Sequence, residues 1–370
     1  MSETVQQTIP SERVVSIDAL RGFDMLWIIG GGEVLSHLVK VWDNPVTRTI
    51  NVQLEHVKWE GFHFEDLIFP LFLFIMGVVL PYSMSRRREK GQSSKAIHLH
   101  ILKRSAILIL LGLIYNNLLS FEWSEMRWPG VLQRIGVCYF FAAIIVVHTK
   151  WRTQAIIVGA VLILYWIAAA LIPVPGFGAG DMTMEGCLSS YIDQHLIPGQ
   201  LYYTYGDNEG FISTFPAICT ALLGALAGHW LRSDRTGPRK AAGLAIAGII
   251  CVVVGYVWSF AFPIIKIIWT SSYTLFSGGL CLMLLALFYW IIDVKGYRKW
   301  TFFFIVIGVN PITIYFLQRF VNFDGIAEFF LWGVSSNAGL IAPLILPLGV
   351  LAVKWLFLWF LYRHKIFFKV

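Results

Sequence analysis

A histidine and an acid frame the start of a long apolar run in EHVKWEGFHFEDLIFPLFLFIMG, residues Glu55 to Gly77. His56 lies just outside the run, and Asp66 stands ten residues on, followed by Leu67, Ile68, Phe69, Pro70 and a string of Leu and Phe. An ionisable group carried into apolar surroundings is costly, so Asp66 is read first as functional. A histidine beside it can take and release protons near neutral pH. It can also attack an activated acyl group. The bland alternative is a His–Asp pair that only satisfies itself where a helix begins. On this segment alone the two readings weigh equally.

The elements around the pair must be membrane helices. Of 370 residues, 57% are hydrophobic and 14% charged, and mean hydropathy is +0.68. A soluble chain would carry roughly 25% charged residues. A spanning helix needs about 20 apolar residues. Ten spans are expected on that scale, at about 23–40, 64–85, 101–119, 130–148, 153–172, 211–231, 241–260, 271–292, 301–320 and 339–361. The fold class is therefore an all-α polytopic bundle, a single transmembrane domain over 1–370. No matched pair of broken helices is legible in its two halves.

Basic residues set the expected orientation. Most of the 29 Lys and Arg fall in one set of segments: Arg13 and Arg21, the 86–100 loop with Arg86, Arg87 and Arg88, the turns near 150, 235 and 297, and the C-terminal residues. The longest opposite loop, 173–210, has no Lys or Arg. Both termini, 1–22 and 86–100 are thus expected in the cytoplasm, with 41–63 and 173–210 on the periplasmic side of a bacterial inner membrane. The N-terminal segment lacks the apolar core of a signal peptide. This topology accounts for the net charge of +7 without a nucleic-acid partner. The five cysteines are scattered, without metal-ligand spacing or a disulfide framework. The 173–210 loop carries Asp181, Glu185, Asp193, Asp207 and Glu209 among Tyr and Gly. That chemistry suits a sugar or a cation, against the plainer reading of a solvated loop.

Polar residues inside spans complete the candidate set. Arg134 lies five residues into its span, and Asn310 precedes Pro311 mid-span. Either could hydrogen-bond a carbonyl oxygen as charge develops on it. Arg21, three residues after Asp18, and Arg104 lie toward the basic end, where charge-assisted bonds could hold the phosphates of an anionic cofactor. Asn116 reads as a bridge between helices.

The strings SIDALRGFDM (Ser16–Met25), Gly30–Gly32, His56 with Asp66 before LIFPLFLFIMG, and PGVLQRIGVCYF (Pro129–Phe140) resemble the transmembrane acetyltransferase family. That family includes heparan-α-glucosaminide N-acetyltransferase and bacterial glucosamine N-acetyltransferases. GALAGHWL (Gly224–Leu231) and GVNPITIYF (Gly308–Phe316) extend the likeness over most of the chain. The resemblance implies an acetyl group moving from cytosolic acetyl-CoA to a glucosamine amine across the membrane. It implies His56 as the catalytic histidine, Asp66 as its acidic partner and Arg21 as the family's RG arginine, and it makes a homodimer an expectation. Where the lysosomal member has an asparagine beside its glycine cluster, this chain has Ile28, Ile29 and Gly30. His56 then acts as general base or as an acetyl carrier, a choice the residues leave open. The rival functions are an amino-sugar or oligosaccharide transporter and a glycan O-acetyltransferase.

Overall fold

Glycine and proline decide which apolar runs become continuous helices and which break. The computed structural model describes residues 14–368, so Arg13 and Lys369 lie outside the described residues. The chain opens with α1 (Val15–Leu26), whose first N–H groups, on Val15 and Ser16, donate to the Asp293 carboxylate at 3.3 and 3.1 Å. Those groups have no partner within a helix, and a carboxylate also complements the positive helix start. A π turn at Trp27–Gly31 interrupts the run, with Gly30 at φ 128°, a conformation glycine adopts readily. Short helices α2 (Gly32–Ser36) and α3 (Leu38–Val41) follow. The expected span 23–40 is therefore a broken segment.

Asn44 begins α4 (Pro45–Gln53), its Oδ1 accepting from the N–H groups of Val46 and Thr47 at 2.9 and 3.1 Å. Then come α5 (Ile68–Glu89), entered through a 3-10 turn at Phe64–Leu67, and α6 (Ser94–Tyr115). Only a tight turn joins them, so the expected loop 86–100 is mostly helix ends. Helices α7 (Val131–His148) and α8 (Trp151–Leu171) lead to a two-stranded ribbon, β1 (Pro173–Val174) against β2 (Gly178–Ala179), and to α9 (Leu188–Leu196). Helices α10 (Thr214–Leu231), α11 (Gly237–Trp258) and α12 (Ser271–Tyr289) come next. The chain ends in α13 (Thr301–Val309), α14 (Pro311–Leu317), α15 (Phe323–Asn337) and α16 (Ala342–Arg363).

Among the described residues, eight helices are long and apolar enough to cross a membrane, and each matches an expected span. The other two expected spans, 23–40 and 301–320, are broken. The second breaks at Asn310 (φ −126°, ψ 49°), because a residue before proline is driven out of the helical region and Pro311 has no N–H to donate. The chain is an all-α, multi-pass membrane protein apart from the short ribbon. The two broken segments, which hydropathy alone did not reveal, pack on each other. A Cβ on Gly308 would stand 2.5 Å from the Asp18 carbonyl oxygen and 2.8 Å from the Gly22 nitrogen.

Two further features hold the bundle. Helices α5 and α10 meet backbone to backbone, since a Cβ on Gly77 would lie 1.8 Å from the Ala221 oxygen. Lys354 on α16 reaches inward and donates to the Ile29 carbonyl of the π turn at 2.9 Å. A broken helix leaves carbonyls without partners, and a buried donor from a neighbour satisfies one of them. The lipid-facing rim carries exposed Leu164, Ile250, Val254 and Leu356.

Candidate active site

The 3-10 turn that starts α5 presents Asp66 to the loop before it. Its Oδ2 accepts from the His63 N–H at 3.0 Å and the Val57 N–H at 3.4 Å. Its backbone carbonyl accepts from the Tyr273 hydroxyl at 2.7 Å. The loop is closed by His63, whose Nδ1 bonds the Glu55 carbonyl at 2.8 Å, and by the Phe64 N–H on Gln53 Oε1 at 3.1 Å. These bonds bring the two sequence-selected residues together: His56 Nδ1 lies 3.0 Å from Asp66 Oδ1. The Asp66 side chain is 1% exposed and that of His56 57%. With Nδ1–H donating to the carboxylate, the Nε2 lone pair is the one that can act as a base, with Lys266 Nζ 3.3 Å from it.

A third group completes the cluster. Lys266, in the segment between α11 and α12, places Nζ 3.2 Å from Asp66 Oδ1 and 2.9 Å from His56 Nδ1. Burial pushes its ammonium down from the usual lysine value, while Asp66 acts in the opposite sense.

His56, Lys266 and Glu65 line a cavity of about 350 Å³. Its polar end also holds Arg127, Tyr202, Tyr203, Asn208 and Glu209. Its apolar end is made by Phe69 and Phe72 of α5, Leu132 and Ile135 of α7, and residues of the two breaks: Met25, Ile28, Pro311 and Ile312. The interruptions in both broken helices thus face one space.

The polar end is organised by Arg127. Its guanidinium forks onto Asp207, Nε to Oδ2 at 2.8 Å and Nη2 to Oδ1 at 2.6 Å, and also pairs with Glu209. It lies over the Tyr202 ring at 4.8 Å. Asp207 accepts further from the N–H groups of Tyr202 and Glu209, both at 2.9 Å. Beneath it, buried Asp193 accepts from the N–H groups of Phe211 at 2.8 Å and Asp207 at 3.3 Å. Burial raises the Asp193 carboxyl to about 6 despite those bonds. Asn116, expected to bridge two helices, instead donates to the Arg127 and Pro129 carbonyls at 2.8 and 2.7 Å, in the segment leading into α7.

The remaining sequence-selected residues do not line the cavity. Arg134 donates to the Gly210 carbonyl at 3.0 Å and to Ser213 Oγ at 2.5 Å, and lies 5.2 Å from the Trp269 ring centre. Trp269 does line the cavity, so Arg134 stands behind its wall. Asn310 is committed to the C-terminal segment, donating to the Ile366 carbonyl at 3.0 Å and accepting from the Phe368 N–H at 3.1 Å. Arg21 donates to Asp18 at 3.4 Å and to the Gly308 carbonyl at 3.5 Å, at the crossing of the broken helices. Arg104 lies over the Tyr139 ring at 4.5 Å.

Sequence reasoning missed Lys266, Glu65 and Arg127. One signal was available for the two cations: both fall in segments that the positive-inside pattern leaves nearly free of Lys and Arg.

The model of the family described as heparan-alpha-glucosaminide N-acetyltransferase, catalytic, matches residues 13–256. The human heparan-alpha-glucosaminide N-acetyltransferase is 29% identical over 97% of this chain and 60% of its own length. The mouse protein of that name is 28% identical over 97% of this chain and 61% of its own length. The chain thus spans about 60% of the length of these curated relatives. The match covers more than half of the chain, which therefore belongs to the heparan-α-glucosaminide N-acetyltransferase catalytic family.

Proposed function

We propose that this chain is a membrane N-acetyltransferase that carries the acetyl group of acetyl-CoA to the amine of a glucosamine unit, with His56 as general base. One observation carries the reading: a His–Asp pair opens onto a cavity whose other end is apolar and lies between broken helices. At neutral pH an amino sugar is an ammonium ion and cannot attack. His56 Nε2 takes its proton, and Asp66 holds the ring through Nδ1 and stabilises the imidazolium. The C–N bond forms, the C–S bond breaks, the imidazolium gives its proton to the departing thiolate, and the second proton of the attacking nitrogen leaves to solvent as the amide forms.

The amino sugar enters at the polar end, where Tyr202 offers a ring face and Glu209 and Asn208 offer polar partners. The pantetheine arm lies along the apolar end, past Ile28, Phe72 and Pro311. Arg21 and Arg104 are the cations proposed for the CoA phosphates at the cytoplasmic face. Arg134 and Asn310 act indirectly, the first behind Trp269 and the second by seating the C-terminal segment beside Pro311. In this reading residues 1–370 form one acyltransferase domain in a bacterial inner membrane, with both termini cytoplasmic, and 41–63 and 173–210 periplasmic.

The test is purified protein with labelled acetyl-CoA and a panel of free and glycan-linked glucosamines, wild type beside His56→Ala. An amide product that disappears in the variant supports the proposal. An ester product makes the chain an O-acetyltransferase, and sugar uptake without acetylation makes it a transporter.

A further inference from the structure

Lys266 is held in place by its own loop rather than by its partners alone. Gly61 N–H bonds the Ile264 carbonyl at 2.9 Å, Thr270 Oγ1 bonds the Pro263 carbonyl at 2.8 Å, and Trp269 N–H bonds the Lys266 carbonyl at 2.9 Å. Ile265, Ile267 and Ile268 are buried around it. The Lys266 side chain is 19% exposed, and Nζ lies 2.9 Å from His56 Nδ1 and 3.3 Å from Nε2. Nδ1 cannot donate to Asp66 and accept from an ammonium at once. With Nδ1–H on Asp66, the ring and the ammonium share one carboxylate oxygen, Asp66 Oδ1, as two donors side by side rather than bonding each other.

From this geometry we propose that Lys266 is a positioning residue that sets the proton affinity of His56. Resting on the general-base reading above, its charge, 2.9 Å from Nδ1, weighs against a second positive charge on the ring. It also makes the transient imidazolium acidic enough to give its proton to the thiolate. A like charge within about 4–6 Å disfavours a second one. The other charged groups facing the pair are Glu65, beside Asp66 in the 3-10 turn before α5, and Glu209 at the polar end, itself paired with Arg127; His63 is bonded to the Glu55 carbonyl.

The experiment is the pH dependence of kcat/KM for wild type, Lys266→Met and Lys266→Arg. The acid limb of Lys266→Met is expected to move up by about one pH unit or more, because His56 then protonates at a higher pH. Lys266→Arg, which keeps the charge, is expected to restore the limb to its wild-type position. An unmoved or lowered limb in an active Lys266→Met enzyme overturns the proposal. A second readout needs no turnover: the pH midpoint for carbethoxylation of His56 by diethyl pyrocarbonate, followed by peptide mass mapping. A higher midpoint in Lys266→Met than in wild type supports the proposal, and equal midpoints overturn it. Absence of amide product from the wild type would instead remove the acetyltransferase reading.

Discussion

Gly22 and Gly308 cross with their backbones in contact: a Cβ on Gly308 would stand 3.2 Å from the Gly22 Cα, and one on Gly22 would stand 1.7 Å from the Phe304 carbonyl oxygen. The two broken helices are joined there, and the cavity floor just beyond, at Met25 and Pro311, depends on that join. Gly22→Ala must push the segments apart. Overpacking of this kind costs about 1–3 kcal/mol. A lowered thermal midpoint in detergent is expected, together with loss of activity. Gly159→Ala, whose Cβ meets nothing within 4 Å, serves as the control and should change neither.

The His56–Asp66 bond separates two kinds of loss. His56→Ala should lower kcat/KM by about 10²–10⁴-fold, the range of a general base. Asp66→Asn removes the carboxylate that fixes Nδ1–H, and its amide can present a donor to the ring. It also leaves Lys266 without its ion-pair partner. A rate loss comparable to that of His56→Ala is expected, measured with acceptor saturating and the fold checked by circular dichroism.

Arg127 tests the acceptor end. Because its fork holds Asp207 while its Nη2 also reaches Glu209, Arg127→Ala should disorder the segment carrying Tyr202 and Asn208. A rise in acceptor KM of about tenfold or more is expected, as for a lost charge-assisted bond. Lysine keeps the charge without the planar fork, so Arg127→Lys should not restore binding. The KM for acetyl-CoA should stay near wild type in both.

Asp193 gives a pH-dependent prediction whose sign is fixed by its shift. Its folded value of about 6 lies above the ordinary aspartate value of 3.8. Its contribution to stability is therefore fully present below pH 3.8 and lost as pH rises through 6. Asp193→Asn carries no such titration. The thermal midpoint of the variant minus that of wild type should grow more positive from pH 4 to pH 7. A constant difference would contradict the assignment.

Much of this molecule was legible because apolar runs and an ionisable pair leave local marks. His56 and Asp66 announced themselves by type and position, and eight of the ten expected spans are long helices. The other two failed for a physical reason: hydropathy counts apolar residues and is blind to backbone breaks. Gly30 and the Asn310–Pro311 step carried that information. Arg134 looked out of place deep in a span, and its bonds to Ser213 and Gly210 explain it through a segment nearly 80 residues away. Lys266 was invisible for the same reason. It comes within 2.9 Å of His56 across 210 residues of sequence, which only the packing of α12 against α5 brings about.

The transfer itself is tested most directly in sealed membrane vesicles, with labelled acetyl-CoA on the face carrying Arg86–Arg88 and glucosamine on the face carrying His56. The expected result is N-acetylated sugar accumulating on the glucosamine side in wild type, and at a rate lower by about a hundredfold or more in His56→Ala. Product formed only when both substrates share one face, or formed equally well by His56→Ala, would contradict it.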